Sequence, residues 1–295
     1  VSVIALDLGG TKIRGGIVSG PTASSVREVP TPTHDGARGI VRAMTEMISD
    51  LHQIQPAARA VGIAAAGVIK DGRVVSATNL LPGWAGTEVS ADIQYATGLS
   101  TTTLGDVLAH GLGEAVYGGG QGFNRCLTVA VGTGVGGALV VNKVVDEGAH
   151  GLAGHIGHIA SPRGVGITCS CGRQGHMEPV ASGPGIATRY AEFMNATSAS
   201  TSRPVDVGTP SGKDVACAAV AGDFTARRIL SDAGFALGEA IGGAANLLDP
   251  DVVLLSGSVA QAPEPWWSSM KFGFDSTAMD LARAIDLRLA ALGDN

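Results

Sequence analysis

Apolar residues fall along this chain in short runs that alternate with longer helical stripes. Val3–Leu8 is a compact apolar run that reads as a buried strand, Arg14–Ser19 reads as a second and Ser25–Val29 as a third, with Gly-Gly and Gly-Pro punctuation between them. Gly36–His52 instead places Ile40, Val41, Met44, Met47, Ile48 and Leu51 at the three-and-four spacing of an amphipathic helix. A strand over Ala60–Ala65, a helix over Glu88–Ala96, a strand over Thr101–Leu104 and a helix over Asp106–Tyr117 follow. After a glycine-rich connection, Cys126–Val131 and Gly136–Val141 repeat the opening order of strand, glycine turn and strand. Phe224–Leu248 then reads as a long helix and Val252–Leu255 as the strand after it.

Strands interleaved with helices, in two halves with similar beginnings, indicate an α/β fold of two lobes with a cleft between them, where ligands usually bind. The boundary is expected near Gly118–Gly122, giving a small N-terminal α/β lobe over 1–118 and a larger one over 119–295. Ala196–Pro210, rich in Ser, Thr and Pro, is expected to be a surface loop.

Composition narrows the function. With 295 residues, 45% of them hydrophobic and 16% charged, the chain can bury two cores, which excludes disorder and fibre. A net charge of −6 without a Lys/Arg run argues against nucleic acid as a partner. No apolar stretch approaches a membrane span and the start does not read as a signal peptide, so a cytoplasmic protein is expected. The 44 glycines show no Gly-X-Y period, which assigns them to tight turns and close backbone approaches.

Two of those turns have the chemistry of phosphate loops. Asp7-Leu8-Gly9-Gly10-Thr11-Lys12 follows a strand, and its adjacent glycines let backbone N–H groups and the Thr11 hydroxyl face phosphate oxygens while Asp7 helps hold Mg²⁺. A plain hairpin is the competing reading. Gly132-Thr133-Gly134-Val135-Gly136-Gly137 repeats the pattern after Leu127–Val131. A third element, Val252–Val259, is an apolar run ending in small residues around Gly257, where an adenine could rest against backbone, or simply a core strand with a turn.

Of the four cysteines, Cys126 and Cys217 lie in apolar or Ala-rich runs and are expected to be buried. Cys169 and Cys171, one residue apart, are poorly spaced for a disulfide but well spaced to share a metal. With His158 and His176 they make a Cys₂His₂ set suited to tetrahedral Zn²⁺, and four protein ligands would close the site and make it structural.

Three phosphate-and-adenine elements across two similar halves resemble the actin-like ATPase superfamily, with its ribonuclease H-like lobes. The motifs sharpen the resemblance. Asp-Leu-Gly-Gly-Thr-Lys, Thr78-Asn79-Leu80-Leu81-Pro82-Gly83-Trp84, Asp106 before a helix ending in Gly113-Glu114, Gly-Thr-Gly-x-Gly-Gly, Gly154-His155-Ile156-Gly157-His158, Cys-x-Cys-Gly and Glu178 leading into Ala181-Ser182-Gly183 occur in the order found in ROK-family sugar kinases, from Val3 to the end. The resemblance implies transfer of the γ-phosphate of ATP, with Mg²⁺, to the 6-hydroxyl of a hexose or N-acetylhexosamine. It implies Asp106 as general base and Gly67, Asn79, Asp106, His155, His158 and Glu178 around the sugar. Donor-side residues would be Asp7, Gly9, Gly10, Thr11, Lys12, Gly132, Thr133, Gly134, Gly136, Gly137 and Gly257, and a homodimer or homotetramer is expected.

Three positions depart from the family pattern. Gly105 stands where Asn is common before the catalytic Asp, His155 where Glu is usual, and His176 where a third Cys is usual. His155 could bind sugar, replace His158 on zinc, or pack. The family also contains sugar-responsive repressors, which carry a winged helix ahead of the first phosphate loop; that loop begins within ten residues of this chain's start, so an enzyme is expected. A sugar-binding protein that has lost catalysis is the remaining alternative.

Overall fold

A computed structural model describes residues 2–77, 81–200 and 210–293, with side chains to 196 in the middle segment. The expected sugar contact Asn79 lies outside the described residues. The chain divides into two compact units, Val1–Tyr117 with Val144–Ala153, and Gly118–Lys143 with Gly154–Gly293.

In the first unit β1 (Val3–Leu8), β2 (Lys12–Ser19), β3 (Thr22–Pro30), β4 (Ala60–Ala65) and β7 (Ser100–Gly105) form a mixed sheet in the order β3-β2-β1-β4-β7, while β5 (Val68–Lys70) and β6 (Arg73–Ser76) make a separate hairpin. β1 runs antiparallel to β2 and parallel to β4, which runs parallel to β7. The period-two burial of Ile4, Leu6 and Leu8 on β1 and of Val61, Ile63 and Ala65 on β4 gives a core that α1 (Gly36–Ile54) joins with Ile40, Met44, Met47, Ile48 and Leu51. The unit is completed by α2 (Val89–Thr97) and α3 (Asp106–Tyr117).

The second unit repeats this plan. β8 (Arg125–Val131) and β9 (Val135–Val141) form an antiparallel hairpin, β10 (Val252–Ser256) lies parallel to β8, and β11 (Asp286–Leu289) lies parallel to β10. β10 is buried along its whole length, as its unbroken Val-Val-Leu-Leu run requires. Around the sheet stand α4 (Glu178–Ala181), α5 (Gly183–Ser200), α6 (Gly212–Val220), α7 (Phe224–Leu248) and α8 (Trp266–Thr277).

Two expectations need correction. Helix α5 continues through Ser200, so Ala196–Ser200 is helical rather than loop: the Ala-rich start of that stretch extends a helix already nucleated. Cys217 is exposed, because on α6 it falls between the buried positions Val215 and Ala219 and points outward; Cys126 is buried as expected. The β5–β6 hairpin, α5, α6, α8 and β11 carry weaker patterns and were not read from the sequence.

Helices α7 and α8 pack at backbone distance. Gly234, Gly238 and Gly242 recur every fourth residue on α7, and a Cβ built on Gly238 would overlap the Met270 carbonyl oxygen and lie 2.7 Å from the Phe274 nitrogen. Ala favours a helix over Gly by about 0.5–1 kcal/mol, but the overlap is with backbone that cannot rotate away. We therefore expect Gly238→Ala to lower unfolding free energy by about 1–3 kcal/mol, read from a denaturation midpoint. An unchanged midpoint would show that the pair has slack.

Candidate active site

Strand register brings the first carboxylates together. Leu8 on β1 pairs with Ala65 on β4, and Ala65 with Gly105 on β7, so the carboxyl ends of three adjacent parallel strands are level. Asp7 precedes that line and Asp106 follows it, as the first residue of α3. One Asp106 oxygen, Oδ1, accepts the Val107 N–H at 2.8 Å. Partial loss of hydration around the Asp7 carboxyl pushes its pKa up, the negative charge of Asp106 pushes it further, and Arg14 and Lys12 offset part of the rise. Two acids so placed form a ready acceptor for a divalent cation, which would supply the missing positive charge.

The turn after Asp7 is a tight hairpin whose outer face is open. Gly9 N–H donates to Lys12 O at 2.9 Å, and Thr31 ties the turn down, its hydroxyl donating to Gly9 O at 2.8 Å and its N–H to Thr11 O at 3.0 Å. Thr11 is exposed. The Lys12 ammonium is held by Glu28 Oε2 at 2.8 Å, on the surface. The structure thus shows a hairpin here, with its tip residue Thr11 at the surface. Gly67 occupies the turn between β4 and β5 at φ +114°.

In the second unit the loop proper is Gly132–Gly134, closed by Gly132 N–H donating to Gly134 O at 2.9 Å. Thr133 is exposed at its tip, while Gly136 and Gly137 lie in the β9 ladder opposite Ala130 and Val129. Gly257, just past β10, has φ +86°, and a Cβ there would strike the Val131 carbonyl, so only glycine fits. Beside it the Ser256 hydroxyl is buried with no hydrogen-bond partner, a polar atom that a ligand at this strand end could satisfy.

The thiols and imidazoles converge. One Nδ1 or Nε2 or Sγ atom from each of His158, Cys169, Cys171 and His176 lies within 4.8 Å of the others, and they are the cluster of this kind found among the described residues. Local pairing causes this. Ser161 N–H donates to Gly175 O at 2.8 Å and Met177 N–H to Ile159 O at 3.0 Å, which sets His158 beside His176. The turn closed by Gly172 N–H to Cys169 O at 2.9 Å folds the two thiols inward. Tetrahedral zinc, with bonds of about 2.3 Å to sulfur and about 2.05 Å to nitrogen, places S and N about 3.6 Å apart. Here Cys169 Sγ is 3.4 Å from His158 Nδ1, and Cys171 Sγ is 3.3 Å from His176 Nδ1. The donor set fits zinc in chemistry and spacing.

Protonation agrees. Burial lowers the His158 pKa, the charge of Glu178 opposes this, and His176 and His155 lower it further, so His158 is held neutral as a ligand must be. Burial raises the Cys169 thiol pKa, so a metal must displace its proton. His155 is exposed and outside the four-ligand cluster, its ring 6.0 Å from that of His158 and near-parallel at 22°.

Glu178 connects these parts. Its Oε1 accepts the Ser170 hydroxyl at 2.5 Å and its Oε2 accepts the Val135 N–H at 3.0 Å. Sequence reasoning missed Ser170, whose signal is its place between two ligand cysteines. It also missed Arg163, which anchors the metal loop through Asp232 at 3.2 Å and Glu239 at 3.5 Å and stacks on Phe235.

These features match a known family along the chain: residues 3–295 fit the description "ROK family". The chain belongs to the ROK family. A glucokinase from Halalkalibacterium halodurans is 31% identical over 99% of this chain and 91% of its own length. An N-acetylmannosamine kinase from Haemophilus influenzae is 33% identical over 62% of this chain and 60% of its own length. Among solved structures, a ROK family glucokinase from Streptomyces griseus in complex with glucose and AMPPNP is similar at TM-score 0.79 and 28% identity, covering 99% of this chain and 95% of that one. The two mixed sheets with their helices are the two-lobed, actin-like fold of ROK kinases. No helix among the described residues is long and apolar enough to cross a membrane.

Two tests follow from this ROK site. The folded state raises the Asp7 pKa, so it resists ionisation of Asp7. Asp7→Asn is expected to increase stability most at pH values where Asp7 is ionised in the folded state. The gain should shrink as pH falls through the folded-state pKa and vanish below the ordinary carboxylate pKa of about 3.9, as read from urea midpoints between pH 3 and 7; an Asn variant less stable at pH 7 would overturn the assignment. For the metal, elemental analysis should find one Zn²⁺ per chain, and Cys171→Ser should lose most of it. Full retention in that variant would remove Cys171 from the ligand set.

Proposed function

We propose that this ROK-family sugar kinase transfers the γ-phosphate of ATP to the 6-hydroxyl of a hexose or N-acetylhexosamine, with glucose, mannose, N-acetylglucosamine and N-acetylmannosamine as the candidate acceptors. The observation that carries the reading is the Asp7–Asp106 pair at the strand ends. The likeness to a glucokinase and to an N-acetylmannosamine kinase supports both branches of the acceptor class.

Phosphoryl transfer asks little covalent chemistry of a protein; it asks for alignment and charge screening. Asp106 accepts the proton of the sugar hydroxyl as its oxygen bonds to the γ-phosphorus and the bond to the β-phosphate oxygen breaks, releasing ADP. Asp7 would hold Mg²⁺, whose charge would screen the phosphates. Gly9, Gly10, Thr11 and Lys12, with Gly132, Thr133, Gly134, Gly136 and Gly137, receive the phosphates. Lys12 reaches them by leaving a surface pair with Glu28 that contributes little. Gly257 backs the adenine. Gly67, Asn79, His155, His158 and Glu178 read the sugar, and zinc holds the segment that carries the last two. The enzyme works as a cytoplasmic homodimer or homotetramer.

A second reading, a sugar-binding regulator without catalysis, is favoured by Gly105 and His155, the two departures beside Asp106 and His158. A coupled assay of ADP release with the four sugars separates the two. Turnover with at least one is expected, and Asp106→Asn should cut kcat by about 10²–10⁴ while nucleotide binding persists. Tight sugar binding with no turnover on any acceptor would sink the kinase reading.

A further inference from the structure

One short segment grips both ends of the second phosphate loop. At one end Glu178 Oε2 accepts the N–H of Val135, the residue following Gly134, at 3.0 Å. At the other, Gly183 N–H donates to Gly132 O at 2.9 Å. Glu178 and Gly183 are the first residues of α4 and α5, five positions apart, and Met177 and Val180, which flank this segment's start, are fully buried. The other Glu178 oxygen is committed to the metal loop. It accepts the Ser170 hydroxyl at 2.5 Å, and Cys169 Sγ approaches it at 3.7 Å.

The fit is close. A Cβ on Gly134 would lie 2.9 Å from Glu178 Oε2, so a side chain at 134 would push the carboxylate from its place at the Val135 N–H. A carboxylate that caps a phosphate-loop N–H also lies close to where a polyanion would come. Its hold on Ser170 keeps it turned to the Val135 N–H, and the metal keeps Ser170 in place through its neighbours Cys169 and Cys171.

We propose that Glu178, besides its place at the sugar, is a positioning residue that fastens the Gly132–Gly134 loop to the zinc-organised segment, so that zinc sets the affinity for nucleotide even when no sugar is bound. The nucleotide half rests on the kinase reading above. The fastening itself does not, because it concerns hydrogen bonds within the second unit.

Three preparations test it against the zinc-loaded protein: protein stripped by a chelator, Ser170→Ala, and Gly134→Ala. Ser170→Ala cuts the metal side of the link and spares all four metal ligands; Gly134→Ala displaces the carboxylate from the loop side. Zinc content, the Kd for Mg·AMPPNP by calorimetry without sugar, and amide exchange at Val135 are measured on each. Both variants should keep one zinc per chain. All three preparations should exchange the Val135 amide faster and bind the analogue about tenfold more weakly, the effect of losing one charge-assisted hydrogen bond.

Val135 exchange that is unchanged by both zinc removal and Ser170→Ala would overturn the fastening. Exchange that responds while Kd stays constant would overturn the nucleotide half. Zinc-loaded protein that binds no nucleotide, with Val135 exchange still dependent on metal, would sink the kinase reading and support the fastening.

Discussion

Everything in the first unit hangs on the register of three parallel strands. Because side chains alternate along a strand, a slip of one residue between β1 and β4 would turn Ile4, Leu6 and Leu8 out of the core and Asp7 into it. Burial of those three apolar residues therefore also fixes where the Asp7 carboxyl stands. The same holds for β4 and β7, whose pairing of Ala65 with Gly105 delivers Asp106 to the head of α3. Strands lie about 4.8 Å apart, so β1 and β7 are separated by about 10 Å, room for a cation that keeps several of its waters. The apolar core does the electrostatic arrangement: it is far too strong a preference for the repulsion between two partly solvated carboxylates to undo.

The strongly periodic parts of this arrangement were legible. The apolar runs of β1, β4, β8 and β10 and the stripe on α1 have no other good reading, and the glycine turns between strands announced the repeated hairpin. What stayed hidden was set by tertiary contact. Helix α8 has Gly273 in its interior, which argues against a helix locally, yet that glycine is needed where α7 and α8 touch. In α5, the same Ser- and Thr-rich composition that suggests a loop is overridden by the helix it continues. Cys217 shows the limit of reading burial from an Ala-rich neighbourhood, since small residues populate helix surfaces as readily as cores.

The candidate chemistry was legible for a different reason. Paired Cys and His at close spacing have few other uses than holding a metal such as zinc, so four residues could be named from type and spacing, and they do converge. The glycine turns proposed as phosphate loops were visible because close backbone approach needs glycine, but glycine alone made them unspecific. Hydrogen bonds from common residues leave no such mark. Ser170 and the Val135 N–H are ordinary in sequence, and only their shared partner Glu178 makes them part of the site.

The donor and acceptor sides of the proposed site therefore carry unequal shares of the specificity. On the donor side a polyanion is met by backbone N–H groups and a metal ion, contacts that tolerate a wide range of loop side chains. On the acceptor side a neutral sugar is read hydroxyl by hydroxyl, and a donor put in place of an acceptor leaves a buried group unpaired, at a cost of about 1–3 kcal/mol. On the proposed reading, position 155 exchanges a carboxylate, which only accepts, for an imidazole that also donates. The His155 ring lies beside that of His158, outside the four-ligand cluster to which His158 belongs. On the proposed reading, acceptor choice can change through one side chain beside a fixed metal ligand, without disturbing the loops assigned to the donor.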